Sequence, residues 1–315
     1  MATSGVTSFT MTRDSMIAAS LRLLRELGAG AVPTTDDLTN CNQALNMMLK
    51  AWQIQSVPLW TYQEIVIPLI TGINKYPIGP TAAYLATAGC SIIAGGSGGT
   101  PGTYALGITD ATGTGATGTY TITGTAVTAI SITAAGSGYS AAPALTFPLG
   151  GVSGATATCT PIGITTSLPL RPVDAFIRTV ATSNDQILTP MSRTDFDARG
   201  NKTNQGSVSE YYYDAQLGNA QIYLPTTPSD STQAIHLVIQ RPLQDMVSAT
   251  DNFDLPVEWF QAIKWGLADE LSLEYGASES VMNRIERRAA YFKNTCFDFS
   301  VEEASVFFSV DLQRR

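Results

Sequence analysis

The spacing of apolar residues predicts helices at both ends of the chain. Apolar side chains recur every three or four residues, as expected of helices that bury one face. Four segments share this pattern: 12–27, 34–56, 254–276 and 278–296. Thr12 and Asp254 are the predicted N-caps of the first and third helices, and Gly28 and Gly276 are predicted to end them. The two ends of the chain therefore supply four helices.

The middle of the chain has the pattern of β-strands, because residues with high strand propensity form short runs there. Five segments are predicted to be extended: 63–70, 175–181, 210–213, 221–224 and 234–240. The sequence Leu217-Gly218-Asn219 is typical of a hairpin turn between two of them. Helices at the ends and strands in the middle predict the α+β class, with a helical core and a β-rich middle.

A glycine-rich part of the middle is nearly free of charge. Between residues 76 and 170 only Asp110 is charged, although charged residues make up 14% of the chain. Short β-prone runs such as 119–123 and 129–133 alternate there with Gly and Pro turns. This pattern predicts an all-β domain, either Ig-like or a small β-sandwich.

The glycine-rich part also repeats itself. The sequence from 93 to 98 returns in altered form from 132 to 138, and the Gly-Ala-Thr at 115–117 returns at 154–156. Two copies are too few for a solenoid or a propeller, which need several units, so we predict a compact two-repeat domain. The predicted parts of the chain are a discontinuous domain at 1–83 and 164–300, an inserted β-domain at 84–163, and a C-terminal tail at 301–315.

The overall charge argues against one class of function. The chain of 315 residues carries 18 basic and 26 acidic residues, a net charge of −8, which argues against tight nucleic-acid binding through phosphate neutralisation. No run of about 18 apolar residues is present. The polar start MATSGVTSFTMTRD lacks the apolar stretch of a signal peptide. We therefore expect neither a membrane span nor a secretory signal.

The cysteines do not form a metal-binding pattern. Cys41, Cys90, Cys159 and Cys296 lie far apart without a Cys-x-x-Cys pair, and the single His236 cannot complete a zinc site. We expect buried free thiols. Cys90 and Cys159 flank the glycine-rich part, and a disulfide between them is the alternative.

Glycines and carboxylates are the remaining candidates for chemistry. Gly113, Gly115 and Gly118 match the spacing of a dinucleotide-binding loop, but β-prone residues follow where a helix N-terminus must hold the pyrophosphate. Two carboxylates would suffice for glycoside hydrolysis if they flanked the scissile bond. Neighbouring helical positions such as Asp269 and Glu270 cannot face each other in this way. The acidic residues considered are Asp269, Glu270, Glu274, Glu302 and Glu303. We predict a solvated surface there, and no catalytic, cofactor-binding or metal site.

The fourth helix carries a face rich in charge. Its members are Arg284, Glu286, Arg287, Arg288 and Lys293. Such a face is typical of a helix surface in contact with solvent, and that is the prediction for it.

The C-terminal tail is unusually apolar for a chain end. From Val306 to Leu312, apolar residues alternate in the manner of a strand. An exposed apolar strand favours pairing with another chain, so we predict a partner-docking tail. The alternative is a final edge strand on the chain's own sheet.

Several segments of the chain carry a family resemblance when taken in order. They are NQALNMMLKAWQIQSVPLWTYQE (42–64), YPIGP (76–80), RPVDAFIR (171–178), EYYYD (210–214), IYLPTTP (222–228) and LPVEWFQAIKWGLADELSLEYG (255–276). Together they resemble the head-to-tail adaptor, or tail accessory factor, family of short-tailed bacteriophages. The glycine-rich insertion departs from the adaptor pattern. Its second copy, with Gly-Ser-Gly-Tyr at 136–139, resembles a repeat of phage tail and fibre proteins.

The resemblance implies a structural virion protein and not an enzyme. It implies a ring, usually of twelve copies, that assembles in the host cytoplasm beneath the portal protein and through which genomic DNA passes without sequence-specific binding. It also implies that the helical part and the tail dock to the portal, while the β-rich side meets a needle, nozzle or fibre protein. The expected portal contacts are Val306, Phe307, Phe308, Val310, Leu312 and Arg314. The expected subunit-interface residues are Trp52, Trp60, Trp259, Trp265 and Tyr291.

Two other functions remain open at this stage. One is a peptidoglycan hydrolase carried in the virion, and the other is a carbohydrate-binding tail or fibre decoration protein. The second gains support only from the insertion, which we expect to project from the tail and contact a neighbouring tail or fibre protein.

Overall fold

The computed structural model describes residues 5, 9–55 and 59–300. The helices are α1 (Arg13–Leu24), α2 (Thr35–Gln55), α3 (Arg193–Ala198), α4 (Phe260–Ser272) and α5 (Glu279–Phe299). The strands are β1 (Tyr62–Pro68), β2 (Lys75–Gly79), β3 (Cys90–Ser97), β4 (Gly102–Ala105), β5 (Gly107–Thr109), β6 (Thr114–Thr123), β7 (Ala126–Ser137), β8 (Ala144–Thr146), β9 (Ser153–Cys159), β10 (Ile164–Thr165), β11 (Arg171–Thr179), β12 (Asn184–Ile187), β13 (Thr189–Pro190), β14 (Gln205–Gly206), β15 (Glu210–Asp214), β16 (Ala220–Tyr223), β17 (Thr227–Pro228) and β18 (Gln233–Gln240). The predicted α+β class is confirmed.

The described residues form two compact units. The helical unit is drawn from 1–61 and 243–315, and the β-rich unit is Tyr62–Pro242. The helical unit contains α1, α2, α4 and α5, while α3 and all of the strands belong to the β-rich unit.

The first helix begins where the sequence predicts and ends earlier. Thr12 is extended and its hydroxyl accepts a hydrogen bond from the Ser15 amide, so the predicted N-cap is confirmed. The helix ends just before Arg25, which adopts a left-handed φ of 68° and bonds back to the last turn through its amide. The prediction that Gly28 ends this helix is wrong, because a non-glycine residue takes the left-handed position three residues earlier.

The helix that follows the strands starts later than predicted. Pro256 is extended, with ψ 150°, so the chain first makes a 3-10 turn at Val257–Trp259, and α4 then begins at Phe260. The predicted N-cap Asp254 is wrong. Its carboxylate instead accepts a hydrogen bond from the Gln244 amide.

The last helix is longer than predicted, and a short helix was missed. α5 begins after Ser278, as predicted, but runs to Phe299, about one turn past the predicted end at Cys296.

In α3, the Ser192 hydroxyl accepts a hydrogen bond from the Asp195 amide and caps the N-terminus. The six residues of α3 are too few to show an apolar periodicity.

The core of the helical unit forms where α2 packs against α4. Trp52 of α2 lies against Gly266 of α4 so closely that a Cβ on Gly266 would lie 2.6 Å from the indole ring. Buried aliphatic side chains from α1, α2 and α4 complete this core: Ile17, Leu21, Leu45, Ile263 and Leu267. Each fully buried aliphatic side chain contributes roughly 1.5–3 kcal/mol to stability, so this contact holds the unit together.

Two sheets of the β-rich unit share a second core. One is antiparallel with the strand order β1-β18-β11-β12, and the other is mixed with the order β10-β2-β16-β15-β13. All five segments that the sequence predicts to be extended contain strands: β1, β11, β15, β16 and β18. The predicted hairpin is the antiparallel pair β15–β16, which turns at Gly218 with φ 90°.

The strands from β3 to β9 pair only with one another in the part of the chain that the structure describes. They form three small antiparallel sheets with the orders β3-β9, β4-β6-β7 and β5-β8. The sequence repeat is crossed here, since β3 of the first copy pairs with β9 of the second, and β7 of the second copy pairs with β6 of the first. Each copy therefore completes a sheet of the other.

The two copies also share their backbone geometry. Gly96 on β3 and Gly136 on β7 have positive φ angles of 71° and 65°. A Cβ on Gly96 would lie 2.5 Å from the carbonyl oxygen of Ser153, and a Cβ on Gly136 would lie 2.5 Å from that of Thr114. These positions correspond in the two sequence copies, so the sequence repeat is also a structural repeat.

A disulfide joins Cys90 and Cys159. The two cysteines face each other at one end of the β3–β9 pair, with Cα atoms 3.9 Å apart, although 69 positions separate them in the sequence. The prediction of free thiols is wrong for these two, because the crossed repeat brings the first strand of the glycine-rich part to its last. Cys41 is free and buried, as predicted, whereas Cys296 is free but only half-buried.

Candidate functional site

The predicted site residues fall into two groups. The predicted portal contacts lie outside the described residues: Val306, Phe307, Phe308, Val310, Leu312 and Arg314. Of the predicted interface aromatics, Trp52 and Trp259 are buried in the core of the helical unit, Trp60 and Trp265 are half-buried, and Tyr291 is 61% exposed. An interface role stays a prediction for all five, and Tyr291 has the most accessible ring.

Four of the aromatic side chains form one cluster in the helical unit. The Trp259 ring centroid lies 5.0 Å from that of Trp60, 5.3 Å from that of Phe297 and 6.3 Å from that of Trp52. The cluster joins α2, the 3-10 turn before α4, and the end of α5. Aromatic pairs at these separations are mutually favourable, so the cluster fixes the C-terminal end of α5 against the rest of the unit.

An open groove of about 470 Å³ lies between α2, α4 and α5. Its apolar lining includes Met48, Trp52, Gly266, Ala289 and Phe297, and its polar lining includes Gln55, Asp269, Glu270, Glu286, Lys293 and Asn294. The Lys293 ammonium lies 5.4 Å from the ring centroid of Trp52 and 5.6 Å from that of Phe297, within the range of cation–π attraction. The groove therefore combines an aromatic wall with three carboxylates and one ammonium.

Asp269 departs from the solvated surface that the sequence predicts. Its side chain is half-buried, whereas Glu270 and Glu274 are exposed as predicted. Burial raises the pKa of Asp269 above its ordinary value, the nearby carboxylates of Glu286 and Glu270 raise it further, and Lys293 opposes them. The sequence pattern of α4 alone could not reveal this, because Glu286 and Lys293 belong to α5.

Replacing Asp269 by Asn should stabilise the helical unit at neutral pH, because it removes a carboxylate whose ionisation is unfavourable in the folded state. The gain should be at most about 1 kcal/mol, because solvent screens a partly exposed carboxylate. A pKa that is higher in the folded than in the unfolded state means that ionisation of the carboxylate lowers the stability of the folded state. The cost is absent well below pH 3.8, grows as the pH rises through that value, and is complete above the raised pKa. Urea unfolding followed by tryptophan fluorescence at several pH values measures the difference. Glu274→Gln, at an exposed position just past α4, is the control, and an equal gain in both variants would contradict the prediction.

His236 is the buried half of a polar pair that the sequence pattern does not indicate. It lies on β18 and is 8% exposed. Its Nδ1 forms a hydrogen bond with the carboxylate of Glu64 on β1. Its ring stacks on that of Phe176 of β11, with ring centroids 4.8 Å apart. Arg178 of β11 is paired with Asp185 of β12 through two hydrogen bonds of 2.7 Å. Strand register brings these groups together, so sequence spacing alone could not find them.

The sequence matches no protein-family model, and no curated protein matches it. Among the described residues, no cluster of three or more His, Cys, Asp or Glu side chains could hold a metal ion. None of the described helices combines the length and the apolar character needed to cross a bilayer. The glycine motif at 113–118 leads into β6 and then into β7, with no helix at its end.

Proposed function

We propose that this chain is a structural virion protein: a head-to-tail adaptor that forms a ring beneath the portal, connects capsid to tail, retains the packaged DNA and forms part of the ejection conduit. The observation that carries this proposal is where the family-like segments lie in the folded chain. The segments 42–64 and 255–276 supply α2 and α4, whose contact forms the core of the helical unit.

The remaining family-like segments contribute to the second core. The segment 76–80 lies on β2, 171–178 on β11, 210–214 on β15, and 222–228 on β16 and β17. These strands carry buried residues of the β-rich unit, including Tyr76, Ile177 and Ile222. Resemblance at core positions supports a shared fold more strongly than resemblance on a surface, because close packing restricts which side chains fit there.

The C-terminal end of α5 has an apolar surface that suits partner docking. Phe299 is 80% exposed, and a cavity of about 230 Å³ next to it is lined by Trp60, Pro256, Trp259 and Phe299 together with Glu258 and Ser300. The apolar tail 301–315 begins two residues after Phe299. An exposed aromatic side chain beside a mainly apolar cavity gives a partner a place to bury an apolar group, which is compatible with portal docking through this end of the helical unit.

Ending the chain before Val301 should leave both units folded and abolish ring formation on portals. Residues before Val301 already form a packed core in each unit, and the tail supplies the proposed portal contacts. Circular dichroism should show unchanged thermal unfolding, and negative-stain microscopy of truncated protein mixed with portals should show no rings. The matched full-length control is Glu302→Gln with Glu303→Gln, which keeps the apolar tail and should still form rings. Rings made by the truncated protein would show that the tail is not the docking element.

The adaptor role itself is tested by mass. The protein should be monomeric alone and should bind its cognate portal in a fixed ratio near twelve copies per portal ring, measured by native mass spectrometry or mass photometry. Absence of any complex between the intact protein and its portal would refute the proposal.

The acidic groove favours one second candidate, a peptidoglycan hydrolase carried in the virion. Glycoside hydrolysis needs a carboxylic acid with a raised pKa and a second carboxylate nearby, and Asp269 lines the groove with Glu270 and Glu286. Purified peptidoglycan should then be degraded by the intact protein and not by Asp269→Asn, while the control Glu274→Gln keeps full activity. No turnover, or equal turnover by all three proteins, would exclude this function.

A further inference from the structure

One face of α5 concentrates positive charge in an acidic protein. Arg284, Arg287 and Arg288 are all exposed, and with Tyr291 they line an open cavity of about 410 Å³. We call these four residues the α5 arginine face. The sequence pattern predicts solvent exposure for these arginines, and the structure confirms it. Their arrangement carries more information than exposure alone.

The charges of the α5 arginine face are not neutralised within the described chain. None of the ion pairs between described residues involves its three guanidinium groups, whereas Arg13, Arg178, Arg193 and Arg199 each pair with a carboxylate. Among the described residues, the one hydrogen bond that these guanidinium groups donate is from Arg287 Nε to the carbonyl oxygen of Asn283.

The spacing of these arginines is unfavourable for an isolated helix. Arg284 lies three residues before Arg287 and four before Arg288, the separations at which like charges repel across a helix surface. The nearest acidic residue in the sequence is Glu286, which lines the adjoining cavity with Arg287, Asn283 and Ala290 without forming an ion pair with these arginines. A bound anion would relieve this repulsion.

The surroundings of the face distinguish between two kinds of anion. Interfaces with proteins bury an apolar centre surrounded by polar residues, whereas Tyr291 is the single large exposed apolar residue from Asn283 to Tyr291. Interfaces with nucleic acid are polar, hydrated and positively charged, and guanidinium groups bind phosphate through paired hydrogen bonds. Tyr291 adds a phenol at the same cavity. The composition of the face therefore fits phosphate better than a carboxylate-bearing protein surface.

We infer that the α5 arginine face binds the phosphate backbone of double-stranded DNA without reading its sequence. The inference rests on charge, exposure and composition, and it does not depend on the adaptor role. The net charge of −8 does not oppose it, because carboxylates farther away than the Debye length of about 8 Å are largely screened at physiological salt. Net charge argues against tight binding, and this contact is weak, with a Kd of roughly 10⁻⁴ to 10⁻⁶ M.

The test compares two triple variants of the intact protein with equal net charge. R284Q/R287Q/R288Q removes the face, and R22Q/R25Q/R193Q removes three exposed arginines elsewhere. Each changes the net charge from −8 to −11, because three positive charges are lost. Fluorescence anisotropy with a labelled duplex of about 20 base pairs, titrated from about 50 mM salt upward, gives both the affinity and its salt dependence.

Loss of the face should weaken binding about 10- to 100-fold at low salt. It should also reduce the slope of log K against log salt by about 2.7, at about 0.9 for each lost phosphate contact. The control variant should lose far less affinity and keep the wild-type slope.

Several outcomes would overturn the inference. They are no binding by the wild-type protein at low salt, wild-type binding by the variant that lacks the face, or an equal loss in both variants, which would indicate an effect of net charge alone. Competition by polyglutamate as strong as that by duplex of equal charge would favour an acidic protein partner instead. If the triple variant fails to fold by circular dichroism, R288Q alone should still lower the slope by about 0.9, and an unchanged slope would reject the inference.

Discussion

Replacing Cys90 and Cys159 together by alanine should destabilise the β-rich unit by about 3 to 4 kcal/mol and leave the helical unit unchanged. The disulfide closes a loop with a sequence separation of 69, and loop closure of that length lowers the entropy of the unfolded chain by about 4 kcal/mol at room temperature. The bond also joins the two strands at which the chain enters and leaves the crossed repeat. Without it, opening of the β3–β9 pair is no longer limited by a covalent link.

The distribution of aromatic residues allows the two units to be followed separately. All four tryptophans lie in the helical unit, so tryptophan fluorescence reports its unfolding, while the part of the circular-dichroism transition that fluorescence does not follow reports the other unit. In urea, the double variant should lower only the dichroism midpoint, and a reducing agent should have the same effect on the wild-type protein. Cys296→Ala, at a half-buried free thiol, is the control and should leave that midpoint unchanged. Equal midpoints for oxidised and reduced wild-type protein would contradict the prediction.

The disulfide also shows where sequence analysis reached its limit. The repeat and the strand pattern were both visible in the sequence, and the strands are present. What the sequence did not show is that each copy pairs with the other, which is a property of three-dimensional register. Cys90 and Cys159 become neighbours only through that crossed pairing, so spacing along the chain favoured two free thiols.

Helix ends were predicted well where a local side chain determines them and poorly where backbone geometry does. Thr12 caps α1 through its own hydroxyl, and both the residue and its role were evident from the sequence. Arg25 instead ends that helix in a left-handed conformation that favours glycine, and Pro256 moves the start of α4 beyond the predicted Asp254 cap. Propensity gives no sign of a strained position that the rest of the fold holds in place.

The candidate surfaces show the same difference between features that the local sequence determines and features that the fold determines. The exposed arginines of α5 follow directly from helical periodicity, since one helix carries all of them. The acidic groove could not be predicted in this way. Asp269 and Glu286 come from different helices, and the aromatic side chains of the groove come from α2 and from the end of α5. Features confined to one helix could be predicted from the sequence, and features assembled between helices required the fold.

Replacing Gly136 by alanine should destabilise the β-rich unit by about 2 to 5 kcal/mol, as measured by urea unfolding followed by circular dichroism. A left-handed φ costs an L-residue about 1 to 2 kcal/mol, and Gly136 has a φ of 65°. The added Cβ would also lie 2.5 Å from the Thr114 carbonyl oxygen and 2.6 Å from the Ala116 amide nitrogen. Both are backbone atoms of the paired strand β6, so neither can rotate away, and overpacking of this kind costs a further 1 to 3 kcal/mol, roughly.

Two further variants separate the causes of this loss. Gly124 has a φ of 67° and open space around its missing Cβ, so Gly124→Ala carries the conformational cost alone, about 1 to 2 kcal/mol. Gly96→Ala meets Ser153 and Ala155 just as Gly136→Ala meets its own strand partners. The two should therefore lose the same stability to within about 1 kcal/mol. If Gly136→Ala lost no more stability than Gly124→Ala, the conclusion that the close approach of β6 leaves no room for a Cβ at Gly136 would be wrong. A large difference between Gly96→Ala and Gly136→Ala would show that the two copies, although alike in backbone, do not contribute equally to the crossed module.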